Sequence, residues 1–241
     1  MPKLLLLIAL LPLALAAAAA QDRSEPPARE ALSPVLLDSW QEKVGKARRD
    51  LDNEDYEGVL RKTGKIQAEM MRVASAEEAR LSGLVAQTFL LRSLAMAAHA
   101  NKIDTLFDYH AAVAIDPAIG KAGQAGLAAY GAPGEALVAA LGEESKAIAE
   151  LLSQDPPDTL PKRLTTFDAG KLAALAAAHP APLPVEMVID RMGRIRQPRL
   201  AEKLPALLAL AAFDAIRETR FESAKKGGQP TMVRFQLRLV G

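Results

Sequence analysis

GGQPTMVRFQLRLVG, Gly227 to Gly241, ends a chain whose longer segments are rich in Ala, Leu, Glu and Lys. Here Val233, Phe235, Leu237 and Leu239 alternate with Arg234, Gln236 and Arg238. A two-residue period is that of a strand with one buried and one wet face. A strand needs a neighbour, and VEMVIDRMGRIRQPRL offers one as a hairpin. Val185, Met187 and Ile189 alternate, Asp190 to Gly193 can turn, and Arg194 to Leu200 returns. Gly193 supplies the positive φ that tight hairpin turns demand. Pro198 lacks an N–H, which suits an edge strand or the end of a strand. Between hairpin and last strand, KLPALLALAAFDAIRETRF (Lys203 to Phe221) predicts a strongly apolar helix. Its Leu207, Leu208, Leu210, Ala211, Phe213 and Ile216 would cover one face of a small sheet. KKGG reads as a basic, glycine-ended stop to that helix, with the final strand expected from near Pro230. The order is ββαβ, an α+β unit close to the lower size limit for a self-supporting core.

The rest of the chain has a helical period. Leu36, Leu37, Trp40, Val44 and Ala47 recur at three- and four-residue steps and build one apolar stripe. A second helix fits Tyr56 to about Val73, with Asp52, Asn53 and Asp55 supplying the break and the caps. A third is expected from about Ala76 to Ala100, opened by a capping box of Ser75 and Glu78. A fourth spans about Ile103 to Ala114 and closes at Asp116-Pro117. A further helix pair surrounds Gly131-Ala132-Pro133-Gly134. The prolines of SQDPPDTLP, Ser153 to Pro161, then stop helices and favour extended chain. One short helix is expected at Ala169 to Ala178, before HPAPLP.

Composition narrows the function. Half the residues are apolar but only 4% are aromatic, which suits closely packed helices better than a β-sandwich. Thirty basic residues face 29 acidic ones, without the basic excess usual in a duplex-binding domain. The absence of cysteine excludes disulfides, thiol catalysis and cysteine-ligated metal. At the N-terminus, Lys3, an apolar stretch from Leu4 and the small residues Ala16 to Ala20 have the layout of a cleavable secretory signal. The rival reading is an uncleaved inner-membrane anchor, for which the run is short. Export to a periplasm is therefore expected.

Catalytic patterns are missing. His99, His110 and His179 have no metal-ligand spacing, and neither a G-x-S-x-G elbow nor a glycine-rich phosphate loop occurs. Glu143-Glu144 reads as a solvated acidic cluster, and Trp40 and Met70-Met71 as core. The expectation is a protein that is not an enzyme, with no catalytic residue, no metal and no cofactor.

Two resemblances add to this reading. KIDTLFDYHAAVAIDP resembles the second half of a tetratricopeptide repeat. Tyr109 and Ala112 fall on the large and small packing positions and Pro117 on the closing proline, although Thr105 stands where alanine is usual. The C-terminal segment resembles the C-terminal domain of TonB, the energy transducer of Gram-negative bacteria. Asp190, Gly193, Arg220, Phe221, Ala224, Gly228 and Pro230 occur in that family's order with matching gaps. Thr219 replaces its usual Trp and Ser223 its usual Pro, and Leu4 to Ala20 lacks the Ser and His of a transducer's anchor. The N-terminal layout predicts a signal peptide at 1–20 and the prolines a linker with a short helix at 154–182, while the resemblances imply a tetratricopeptide-like helical domain at 21–153 and a TonB-like domain at 183–241. The resemblances also imply docking of a cell-envelope partner, such as an outer-membrane transporter's peptide, by β-strand addition to the last strand. The residues expected to contact it are Pro230, Met232, Arg234, Phe235, Gln236 and Arg238. Asp190, Gly193, Arg220, Phe221 and Gly228 are the structural motif. The alternative is a periplasmic scaffold or homodimer without energy transduction; nucleic acid is not an expected partner.

Overall fold

The computed structural model describes residues 31–73, 79–99, 102–152, 156–165, 182–217 and 219–239. The signal segment, the Ser75–Glu78 capping box and the helix expected at Ala169 to Ala178 lie outside them.

The chain is α+β. Helices α1 (Pro34–Asp52), α2 (Tyr56–Met70), α3 (Ala79–Ala98), α4 (Lys102–Ile115), α5 (Pro117–Ala128) and α6 (Ala132–Leu152) come first. Local chemistry sets their ends. The Ser33 side chain accepts from the Leu36 N–H to cap α1, and Asp55 accepts from the Gly58 N–H at 2.9 Å to cap α2. Asp116 caps α5, whose first residue is Pro117, where a missing N–H costs nothing. At the centre lies α3, packed on α1, α2, α4 and α6. It buries Leu81, Leu84, Phe89, Leu91 and Leu94 around its whole circumference, as a helix surrounded by helices must. It is long and apolar enough to cross a membrane, but 61% of its apolar window is buried against these neighbours.

The C-terminal part has β2 (Leu183–Ile189), β3 (Ile195–Leu200), helix α7 (Ala206–Arg217) and β7 (Val233–Leu239), with four shorter strands around them. These are β1 (Lys162–Arg163), β4 (Phe221–Glu222), β5 (Ala224–Lys226) and β6 (Gln229–Thr231). The main sheet has the antiparallel order β3-β2-β7, so the hairpin and the last strand pair as their alternation predicts. Pro198 lies on β3, an edge strand.

Three expectations need correction. The apolar helix ends at Arg217, not Phe221, because the backbone beyond it pairs elsewhere. The Leu164 N–H donates to the Arg220 carbonyl at 2.8 Å and the Phe221 N–H to the Gly193 carbonyl at 2.9 Å. KKGG does not stop a helix. It closes the β5–β6 hairpin, with Gly227 and Gly228 at φ 56° and 77°, the double positive φ of a tight hairpin turn. The last strand consequently starts at Val233, after β6 has taken up Pro230.

Residues 156–165 lie along the C-terminal part. The Asp158 and Thr159 N–H groups both donate to the Lys225 carbonyl, and β1 pairs with β4.

One hydrophobic core runs through both parts. Nearly every side chain of α7 is buried, because α7 packs against α3 and α4 as well as β3. Phe213 on α7 meets Phe89 and Phe107 edge to face, at 6.0 and 6.3 Å between ring centroids. A ββαβ unit near the size limit for folding thus shares its core with the helices.

Candidate functional site: the free edge of the last strand

β7 pairs along its whole length with β2, from Val233 opposite Ile189 to Leu239 opposite Leu183. Nothing pairs with its other side among the described residues. The orientation of its backbone follows from two hydrogen bonds. The Pro184 carbonyl accepts from Ala201 and the Asp190 N–H donates to Arg194, so both residues turn their polar groups towards β3. Alternation along an antiparallel strand then sends Glu186 and Val188 the same way, and Val185, Met187 and Ile189 towards β7. The partners of this second set on β7 are Leu237, Phe235 and Val233. The N–H and C=O groups of Arg234, Gln236 and Arg238 therefore point to the open side.

The side chains alternate as well. Arg234, Gln236 and Arg238 are exposed, whereas Phe235 and Leu237 are half-buried against the core, with Phe235 edge to face on Phe221 at 5.7 Å. Beside Arg234 and Gln236, the strand face holds a shallow concavity of about 310 Å³ that Glu186, Val188, Gln197 and Arg199 help to line. It lies by a bulge, since Met187 faces two residues of β3, Gln197 and Pro198. Gln197 takes φ 46°, the left-handed region that costs a side-chain-bearing residue energy. Its amide donates to Glu144 of α6 at 3.0 Å.

The six residues expected to touch a partner do not all come together. Four are on β7. Pro230 instead pairs opposite Lys225 in the β5–β6 hairpin. Met232 lines a second concavity, also about 310 Å³, between Leu151 of α6 and Met192 of the β2–β3 turn.

The five motif residues serve the framework. Asp190 Oδ1 accepts from the Met192 and Arg194 N–H groups at 2.8 and 3.0 Å, and its Oδ2 from Arg196 Nε at 3.1 Å. Gly193, at φ 72°, passes so close to β4 that a Cβ would lie 1.7 Å from the Phe221 carbonyl oxygen. Arg220 bridges Arg194, and its N–H donates to Thr165. Together Asp190, Gly193, Arg220 and Phe221 fasten the β2–β3 turn to the chain that leaves α7. Gly228 stands apart in its own turn.

Two polar clusters escaped the sequence reading. Asp108, fully buried on α4, receives Arg217 of α7 and lies 3.3 Å from Arg92 Nε of α3. A carboxylate between Phe107 and Tyr109 in an apolar helix was the available signal. Glu144 is the second, and a correction: it is 7% exposed, not part of a solvated cluster. His110 lies 2.6 Å from its Oε2, and Gln197 shares that oxygen. The helix turns Glu143 outward and Glu144 inward, which adjacent like charges cannot reveal. Trp40 and Met70 are core as expected, at 1% and 0% exposure. Among the described residues no group of three or more His, Asp or Glu is placed to hold a metal ion.

No protein-family model, curated protein or solved structure matches the chain.

Proposed function

We propose that this protein is an exported docking protein that captures an extended segment of a cell-envelope partner by β-strand addition to β7. The observation that carries the reading is the outward set of backbone groups at Arg234, Gln236 and Arg238. An open edge offers unpaired N–H and C=O groups to an incoming strand, and pockets for alternate side chains give selectivity. Helix α4 packs against β3, at the opposite edge of the sheet, and β7 is left as the other edge. The resemblance to the TonB C-terminal domain supports the same kind of partner, an outer-membrane transporter's peptide, and the secretory layout of the N-terminus supports a periplasmic location. The tetratricopeptide-like helices would offer a second docking surface. Docking, not catalysis, is its work in this reading, and energy transduction is not required for it.

The test uses the full chain and a Gln236→Pro variant, each presented with solubilised envelope proteins, with amide exchange followed in β7. Proline removes the central outward N–H and leaves the ladder to β2 intact. Capture should be lost in the variant, and the amides of Arg234, Gln236 and Arg238 should gain protection in the wild-type complex. Undiminished capture by a folded variant would overturn strand addition.

A further inference from the structure

The charge pattern of β7 specifies its occupant. Its seven residues, VRFQLRL, contain two arginines and no acid. Arg234 and Arg238 are exposed on one face, two residues either side of Gln236, and among the described residues no carboxylate pairs with either. The same three residues turn their backbone groups outward, so each would stand directly opposite one residue of an added strand. Side chains directly opposite in a ladder lie on the same face and interact. Those between them lie on the other face, over the half-buried Phe235 and Leu237.

We infer that the segment recognised by β7 is an acidic peptide with the alternation acidic, apolar, polar, apolar, acidic. This rests on the strand-addition reading and adds the chemistry of the partner. Carboxylates meet Arg234 and Arg238, a polar side chain meets Gln236, and two apolar side chains extend the core edge at Phe235 and Leu237. The same pattern disfavours a second copy of the chain. Antiparallel pairing of two β7 strands over their whole length centres on Gln236 and sets Arg234 of each copy opposite Arg238 of the other. Like charges directly opposite are destabilising, so the arginines that attract an acidic peptide also guard the edge against self-pairing.

The test measures binding of short fluorescent peptides to the full chain by anisotropy. Valine alternates with a central threonine, and the two positions flanking that threonine in the alternation carry aspartate, asparagine or lysine. The aspartate peptide should bind at least about fivefold tighter than the asparagine peptide, and the lysine peptide weakest. Raising salt from about 0.05 to about 0.5 M should compress that order, since exposed charges are screened. Reversing both charges with Arg234→Glu and Arg238→Glu should invert it. Both side chains are exposed, and the milder pair Arg234→Gln and Arg238→Gln should merely flatten it. Equal binding of the three peptides would overturn the acidic preference and leave strand addition standing. An aspartate preference that survived the double reversal would overturn it too. Failure of all three to bind or to protect the β7 amides would overturn both readings.

Discussion

Arg217 on α7 closes over Asp108 on α4 with two guanidinium nitrogens, Nη2 to Oδ1 and Nη1 to Oδ2, the latter at 3.2 Å. Its guanidinium carbon also stands 5.1 Å from the Phe107 ring centroid and 5.6 Å from that of Phe89. Arg92 approaches the same carboxylate from α3 and donates from its other end to Gln67, whose amide donates to Thr88. A polar chain thus crosses from α2 through α3 and α4 to the helix of the C-terminal part. Removing one partner of a buried ion pair strands the other, which is the costly event.

Asp108→Ala should destabilise the protein by about 3–5 kcal/mol, because Arg217 and Arg92 lose the buried carboxylate between them. Urea unfolding followed by circular dichroism and by Trp40 fluorescence should give one coincident transition in the wild type, since α7 shares its core with the helices. A loss below about 1 kcal/mol, or separate transitions by the two probes, would contradict this junction.

Gly193→Ala should cost at least about 2 kcal/mol. The added Cβ would meet the Phe221 carbonyl and the backbone would be held at φ 72°. Its thermal midpoint against the wild type decides the matter. Gly227→Ala is the control, with a positive φ but open space around the Cβ.

Proline placement tests the orientation of β7. Phe235→Pro removes an N–H that serves β2 and should lower stability by about 3 kcal/mol or more, whereas Gln236→Pro removes an outward N–H and should cost much less. A larger loss for Gln236→Pro, or equal losses for the two variants, would mean that Gln236 does not turn its N–H to the open side.

Tyr109 is buried, and that burial raises its phenol above the ordinary range. A group whose folded pKa lies above its unfolded value contributes stability that is complete below the unfolded pKa, about 10 for tyrosine. That contribution falls as pH rises from there through the folded pKa. Urea midpoints from pH 8 to 11.5 should therefore decline at the alkaline end, and Tyr109→Phe should show the shallower decline. Identical slopes would mean that the phenol meets water in the fold.

How much of this was legible depended on whether a side chain's role is set by its near neighbours. The stripes of α1 and α2, the cap at Asp55 and the turn at Gly193 involve residues a few positions apart, and periodicity and turn chemistry found them. Misjudged features were those in which a distant segment outbid a local preference. ETRF continued a helical pattern, but its backbone found Leu164 and Gly193. KKGG looked like a helix end because nothing local shows that Ala224 to Lys226 has Gln229 to Thr231 to pair with. Gln197 was invisible for a related reason: its left-handed φ exists because a bulge re-aims the strand and Glu144 waits on another element.

By itself the sequence determined the α+β division, the alternation of the last strand and its neighbour in the hairpin. A period of two or of 3.6 is a property of consecutive residues, and burial of one face follows wherever the element ends up. The tertiary structure alone decided that β7 lies outermost, that α7 joins two parts into one core, and that Asp108 and Glu144 are buried. Each of those depends on which surfaces meet across long stretches of chain, and hydrophobic burial, being non-directional, does not write that choice into any one segment. The charge on the open edge belongs to both: the arginines are in the sequence, but only the sheet order leaves them on an edge strand.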